Sequence, residues 1–138
     1  TPREIRYEYP LLLEDKSIQL WSYNLETILA EKIQTILSRG LLNTRMRDFY
    51  DVTTLFDRYN DSINYNDLSL AFDKTCRKRE TLSLLEHYEE ILCSISEDST
   101  LQNLWKNYCR KYKYASHIEF STNLEIIKQL MSQMLEIE

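Results

Sequence analysis

Residues 24–52 decide the fold of this chain, and they read NLETILAEKIQTILSRGLLNTRMRDFYDV. Apolar residues recur every three to four positions on both sides of Gly40, which is the spacing of two amphipathic helices. Asn24 is a suitable N-cap, and a glycine is common just past a helix end. The first helix is therefore predicted to span residues 24–39, and the second residues 45–59.

The rest of the chain divides into a short strand-like part and a long helical part. Ile5, Tyr7 and Tyr9 alternate with charged residues, and a polar turn follows at 14–17, so residues 3–20 are predicted to form a β-hairpin. The whole sequence holds one glycine and two prolines, which favours helix elsewhere. Further helices are predicted near residues 66–79, 81–95, 100–113 and 122–137.

These elements predict an α+β fold that is mainly α, with an N-terminal β-hairpin followed by a bundle of about six helices. Residues 1–22 would be a strand pair, and residues 23–138 a helical C-terminal domain. A lone hairpin is marginally stable, so we expect the strands to pack on the helices or to join a sheet formed upstream. The sequence starts at Thr1 rather than a methionine, and we expect it to be part of a longer protein.

Composition excludes several broad classes. The net charge of −5 gives no general attraction to nucleic acid or to anionic membranes. No apolar run reaches the roughly 18 residues that a membrane span needs, and no signal peptide opens the chain. The three cysteines show no C-x-x-C spacing, which predicts buried or half-buried reduced thiols and a cytoplasmic location.

Lys32 lies on the apolar face of the first predicted helix. With a rotation of roughly 100° per residue, it falls roughly 40° from the centre of that face, one turn from Ile28 and Ile36. A lysine in this position must reach out to solvent, pair with a carboxylate or face a cleft. If Lys32 only reaches out to solvent, it is a purely structural residue at a domain edge.

Asp48 has the same kind of position on the second predicted helix. It lies at the edge of the apolar face, in the first turn, where the helix dipole favours an anion. Arg45 projects on the same side, and Arg47 and Asp51 can pair along the helix flank. If the two helices pack face to face, Lys32 and Asp48 can meet. Such a pair is a common device in an active-site wall, but a structural Arg–Asp bridge on a capped helix is the alternative.

The two helices together carry a recognisable pair of motifs. Glu-x-x-x-Ala-Glu-Lys spans residues 26–32, and Arg-Asp-x-x-Asp spans residues 47–51. This pair resembles the AbiEii/AbiGii family, which comprises nucleotidyltransferase-fold toxins of bacterial toxin–antitoxin and phage abortive-infection systems. The resemblance implies a transferase that uses Mg²⁺ and a nucleoside triphosphate, with a transfer RNA or another RNA as a possible acceptor and an antitoxin as a possible partner.

The resemblance also implies roles for individual residues. Lys32 corresponds to the family's motif lysine, placed to contact the phosphates of a nucleoside triphosphate. Asp48 corresponds to the later catalytic-motif aspartate, and Asp51 follows one turn on. Arg45 and Arg47 would flank the phosphate region and bind substrate.

Two of the family's motifs are absent from this sequence. The Gly-Gly or Gly-Ser turn, which lets backbone N–H groups approach phosphates, has no counterpart, and no Asp-x-Asp pair occurs to hold metal ions. We therefore expect the C-terminal portion of such an enzyme, inactive by itself, with no metal or cofactor of its own. The alternative is a non-catalytic helical module that docks an antitoxin or RNA.

A second basic region lies near residue 110. Its basic residues interleave with aromatic ones, which can bind single-stranded nucleic acid by stacking and phosphate contact: Lys106, Arg110, Lys111 and Lys113 among Trp105, Tyr108, Tyr112 and Tyr114. The aromatic residues also follow helical spacing, so the alternative is that they are core residues beside a solvated charged face.

Overall fold

The computed structural model describes residues 22–136, and all of the elements in this range are helical. Six α-helices follow one another: α1 (Ser22–Arg39), α2 (Met46–Tyr59), α3 (Tyr65–Lys78), α4 (Leu84–Glu97), α5 (Ser99–Lys111) and α6 (Phe120–Glu136). Three short 3-10 turns lie between them, at Gly40–Leu42, Asn60–Ser62 and Lys113–Ala115.

The prediction of an α+β fold is wrong for this part of the chain, because residues 22–136 contain six α-helices and no strand. The physical reason is local: this range holds a single glycine and no proline, and its apolar residues keep helical spacing throughout. The predicted hairpin of residues 3–20 lies outside the described residues. So does the predicted strand-pair domain, residues 1–22, except that Ser22 is the first residue of α1.

The boundaries of α1 and α2 lie close to the predicted ones. The first helix begins at Ser22, so Asn24 lies inside it rather than at its cap. It ends at Arg39, and Gly40 follows with a φ of +53°, a left-handed conformation that a glycine adopts without a steric penalty. The second helix begins at Met46, directly after Arg45.

The end of α3 explains why α4 begins later than predicted. The N–H of Thr81 donates to the carbonyl of Cys76 at 2.8 Å, and the N–H of Glu80 donates to the carbonyl of Arg77 at 3.2 Å. This is the hydrogen-bond pattern of a Schellman motif, with Glu80 at a φ of +59° in the place that glycine usually takes. Because this motif uses residues 79–81, α4 starts at Leu84 instead of near residue 81.

The core lies between α1 and the helices packed around it. The first helix contacts α3 most extensively, and also α2 and α4, while α2 packs mainly against α6. The largest fully buried side chains come from all of these helices and from α5: Leu29, Ile33, Ile36, Leu37, Phe49, Leu55, Leu68, Phe72, Ile95, Leu101 and Ile127. This packing brings the middle of α1 against the first half of α2.

Two composition-based predictions can be compared with residues 22–136. The three cysteines are free thiols, as predicted, although Cys93 is exposed rather than buried or half-buried. None of the helices in this range is both long and apolar enough to cross a bilayer.

Candidate functional site

Lys32 lies in the contact between α1 and α2. Its neighbours one turn away, Ile28 and Ile36, are both buried, because the apolar face of α1 is turned into the core. The Lys32 side chain is only 11% exposed. Its ammonium group therefore needs a partner inside the protein, since the charged form is costly to remove from water.

That partner is a pair of carboxylates on α2. The Nζ atom of Lys32 lies 3.0 Å from Oδ2 of Asp51 and 3.6 Å from Oδ1 of Asp48. The two aspartates are three residues apart and so project from neighbouring turns of one helix. The Asp51 side chain is 0% exposed, and the Asp48 side chain is 6% exposed. The ammonium group is thus held between two nearly buried carboxylates.

Two arginines complete the cluster, Arg45 at the surface and Arg47 partly buried. Nη2 of Arg45 lies 3.5 Å from Oδ1 of Asp48, and Nε of Arg47 lies 3.7 Å from Oδ1 of Asp51. The Arg45 side chain is 61% exposed, whereas that of Arg47 is 27% exposed. We call these residues the Lys32 cluster: Lys32, Arg45, Arg47, Asp48 and Asp51. It holds three cations against two carboxylates, and its net positive charge faces the surface through Arg45.

Burial has a measurable consequence for Asp51. Removal from water raises the pKa of the Asp51 carboxyl above its ordinary value, while the charges of Lys32 and Arg47 act in the opposite direction. The raised pKa means that desolvation outweighs the attraction of the two cations. Asp51 is therefore a carboxylate whose charged form depends on its neighbours.

A group of tyrosines lies behind the cluster. The Tyr108 hydroxyl is 3.2 Å from that of Tyr114, and the Tyr50 ring centroid is 4.8 Å from that of Tyr114. Burial and the hydrogen bond with Tyr114 raise the pKa of the Tyr108 phenol, and the charges of Arg47 and Asp51 also act on it. The tyrosines therefore form a neutral, largely buried wall on the far side of Arg47 and Asp51.

The structure brings all five predicted site residues together. It differs from the sequence-based prediction at Asp51, which was expected on the helix flank and is instead fully buried and closer to Lys32 than Asp48 is. The reason is that residues 48–53 of α2 are all buried, so this stretch of the helix has no exposed flank. The prediction assumed that one face of the helix stays in water, and this assumption fails at Asp51.

Sequence reasoning missed the role of Glu26, the first residue of the Glu-x-x-x-Ala-Glu-Lys motif. This side chain is 4% exposed, and its Oε2 accepts a hydrogen bond from the N–H of Asn64 at 2.8 Å. The contact ties α1 to the start of α3. Helical spacing could have found it, because Glu26 lies one turn from Leu29 and two turns from Ile33, both in the apolar stripe.

The described residues do not fit a magnesium site. No group of three or more His, Cys, Asp or Glu side chains within residues 22–136 is arranged to hold a metal ion. The two carboxylates of the cluster already face the Lys32 ammonium, which would repel a divalent cation. The cluster can instead present fixed positive charge to an anion.

In the basic region near residue 110, the aromatic residues contact one another. Trp105 is 3% exposed, and its ring stacks on Tyr108 with centroids 5.4 Å apart. Tyr112 packs on Tyr108 at 4.8 Å and lies 5.5 Å from Tyr114. Trp105 is thus a core residue, as one alternative predicted, whereas Tyr108, Tyr112 and Tyr114 are half-buried beside the basic residues at the surface.

Comparison with known proteins gives one match. The family model described as "Nucleotidyl transferase AbiEii toxin, Type IV TA system" matches residues 1–125 of the 138. No curated protein and no solved structure matches the chain.

Proposed function

Since this chain belongs to the AbiEii family of nucleotidyltransferase toxins from type IV toxin–antitoxin systems, we propose that the Lys32 cluster is the triphosphate-binding wall of its active site. In the intact enzyme, a nucleotide would be transferred from a nucleoside triphosphate to an acceptor, with toxicity and phage abortive infection as the result. A transfer RNA or another RNA is the acceptor we propose, and an antitoxin is the proposed cellular counterpart.

The observation that carries the proposal is the geometry of Lys32. The Lys32 ammonium group lies 3.0 Å and 3.6 Å from two carboxylates, and 11% of the Lys32 side chain is exposed. A lysine held in one position can bind a phosphate oxygen without the entropy cost of ordering a flexible side chain. A buried ion pair of this kind contributes little to stability by itself, which favours a role in binding.

The remaining residues of the cluster have distinct proposed roles. Arg45, the most exposed cation, would meet the phosphates first, and the more buried Arg47 would add positive charge behind it. Asp48 would orient Lys32 or the attacking hydroxyl group. Asp51, which is buried and closest to Lys32, acts as a positioning residue.

The proposal assigns no metal ion to the described residues. A nucleotidyltransferase of this kind uses Mg²⁺ to align the triphosphate and the attacking hydroxyl group. Because residues 22–136 do not fit such a site, we assign no metal ligand among them. The described chain supplies fixed cations at the phosphates.

A non-catalytic helical binding module remains the second candidate function. The observation that favours it is that Asp48 and Asp51 are both paired with Lys32, so neither is disposed to bind metal or to act as a base. In that case the cluster would be a structural ion-pair network, and the family's chemistry would be lost.

The test uses the intact protein with Lys32→Met, Lys32→Ala or Asp48→Ala. We expect loss of toxicity on induction and at least a hundredfold loss of nucleotidyl transfer from a labelled nucleoside triphosphate, an effect of about 3 kcal/mol on the barrier. Lys74→Met, at an exposed lysine on α3, is the matched control and should retain full activity. Circular dichroism must show that each variant is folded. Folded Lys32 and Asp48 variants with full toxicity and transfer would overturn the proposal.

A further inference from the structure

A groove runs along α5 and the start of α6, and it is lined by residues other than those of the Lys32 cluster. Its main cavity has a volume of about 650 Å³. Buried apolar residues form the floor, chiefly Trp105, Ile118, Phe120 and Leu124. A second cavity of about 250 Å³ shares Leu124 and two serines, Ser96 and Ser121, with the first, so the two form one continuous groove.

The two ends of the groove carry opposite charge. Lys106, Arg110 and Lys113 line the main cavity, with Glu119 as its one carboxylate. The second cavity is lined instead by Glu89 and Glu125, with Lys128 as its one cation. A ligand in this groove would therefore meet a basic end and an acidic end.

The floor offers no stacking surface to a nucleic acid base. Trp105 donates its indole N–H to the carbonyl of Ile118 at 2.9 Å, and its ring packs against Tyr108 and Phe120, with centroids at 5.4 Å and 6.1 Å. Single strands bind through exposed aromatic faces, which this groove lacks. Aliphatic side chains of a ligand suit such a floor better.

We propose that this groove binds an amphipathic helix of a partner protein. The apolar face of that helix lies on the Trp105–Leu124 floor, its acidic residues lie over Lys106, Arg110 and Lys113, and its basic residues lie over Glu89 and Glu125. Apolar anchors one turn apart are the usual way in which a helix fills such a groove. This inference goes beyond the proposed nucleotidyl transfer and does not depend on it.

The experiment selects displayed helical peptides of about 15 residues against the full 138-residue chain. Counter-selection uses Ser121→Trp, which fills the groove where the two cavities join, and the Lys106→Glu/Arg110→Glu double variant in case the first does not fold. We expect enrichment of peptides with apolar residues at helical spacing, acidic residues at one end and basic residues at the other.

A synthesised peptide from the selection is then measured by fluorescence anisotropy at low ionic strength. Lys106→Glu/Arg110→Glu should weaken binding about tenfold, and so should exchange of the acidic and basic ends of the peptide. Lys111→Glu is the matched control and should leave binding unchanged, because Lys111 lies over the Tyr112 ring, outside the groove lining.

Two results would overturn the proposal. One is the absence of any peptide enrichment over the counter-selected variants, or enrichment without an acidic end. The other is binding of a single-stranded RNA oligonucleotide that Lys106→Glu/Arg110→Glu weakens while no peptide binds, which would make the groove a nucleic acid site.

Discussion

Replacing Lys32 with methionine removes the charge at the centre of the cluster while keeping most of the side-chain volume. The methionine side chain can still pack near the buried residues Ile28 and Ile36, as the aliphatic part of the lysine does. The change therefore removes the ion pair with little loss of packing. Asp51, whose side chain is 0% exposed, then loses the cation 3.0 Å away. Arg47 remains at 3.7 Å and compensates only in part.

The expected cost follows from this geometry. Removing one partner of a buried ion pair typically costs about 3–5 kcal/mol, because a buried charge is left without compensation. In Lys32→Met, Asp51 keeps its contact with Arg47 and can take up a proton. We therefore expect a loss of unfolding free energy near the lower end of this range, about 3 kcal/mol at pH 7.5. For a domain of this size, about 4 °C per kcal/mol gives a fall in Tm of about 12 °C.

The cost should depend on pH in a defined direction. The folded-state pKa of Asp51 is already raised by burial, and the loss of Lys32 raises it further. A raised carboxyl pKa favours the folded state below the ordinary pKa of an aspartate, and that advantage is lost as the pH rises through the folded-state pKa. The difference in stability between wild type and Lys32→Met should therefore be small near pH 4 and reach its full size at higher pH.

The assay is thermal and urea unfolding at a series of pH values, with Arg77→Met as the control. The Arg77–Asp73 pair is shorter, at 2.8 Å, but its side chains are 66% and 42% exposed, so its loss should not change Tm measurably. If Lys32→Met costs less than about 1 kcal/mol, or the same amount at pH 4 and pH 7.5, Asp51 does not depend on Lys32 for its charge and the reasoning is refuted.

Three further perturbations test other parts of the same account. Asp51→Asn should gain stability relative to wild type as the pH rises from about 4, because the wild type alone loses the advantage of a raised carboxyl pKa; a difference that does not change with pH in urea unfolding would contradict this. Glu26→Ala should cost about 1–3 kcal/mol, because the part-buried hydrogen bond from the N–H of Asn64 to the Glu26 carboxylate is lost, and chemical denaturation with an unchanged m-value would measure it. Tyr108→Phe should cost about 1 kcal/mol through the lost hydrogen bond with Tyr114 and should remove one phenol of raised pKa from an ultraviolet titration at alkaline pH, since burial raises the pKa of Tyr108.

The sequence was sufficient for the helices because helix formation is governed by local spacing. The apolar residues of 24–39 and 45–59 repeat every three to four positions, and the observed helices begin and end within two residues of these ranges. The same arithmetic marked Lys32 and Asp48 as ionisable groups on apolar faces. Errors arose where a boundary depended on hydrogen bonds that spacing does not reveal, as at the Schellman motif of Glu80.

The predicted α+β class had a different weakness. It rested on the alternation of residues 5–9 and on the apolar runs around the polar turn at 14–17, which lie outside the described residues, while every described element is helical. Period-two alternation over so few positions is a weak signal beside the sustained helical spacing of the remaining chain. The family, by contrast, was predicted correctly from two short motifs and is shown by the match over residues 1–125.

By itself, the sequence determined the series of helices, the family, and the presence of Lys32 and Asp48 on apolar faces. Only the tertiary structure decided how deeply each charge is buried and which charges meet. Asp51 shows the reason: its burial comes from neighbouring helices that cover residues 48–53 of α2, among them α1, which carries Lys32 to 3.0 Å. Burial of this kind is set by residues distant in sequence, and the periodicity of one helix does not specify which neighbour will cover it.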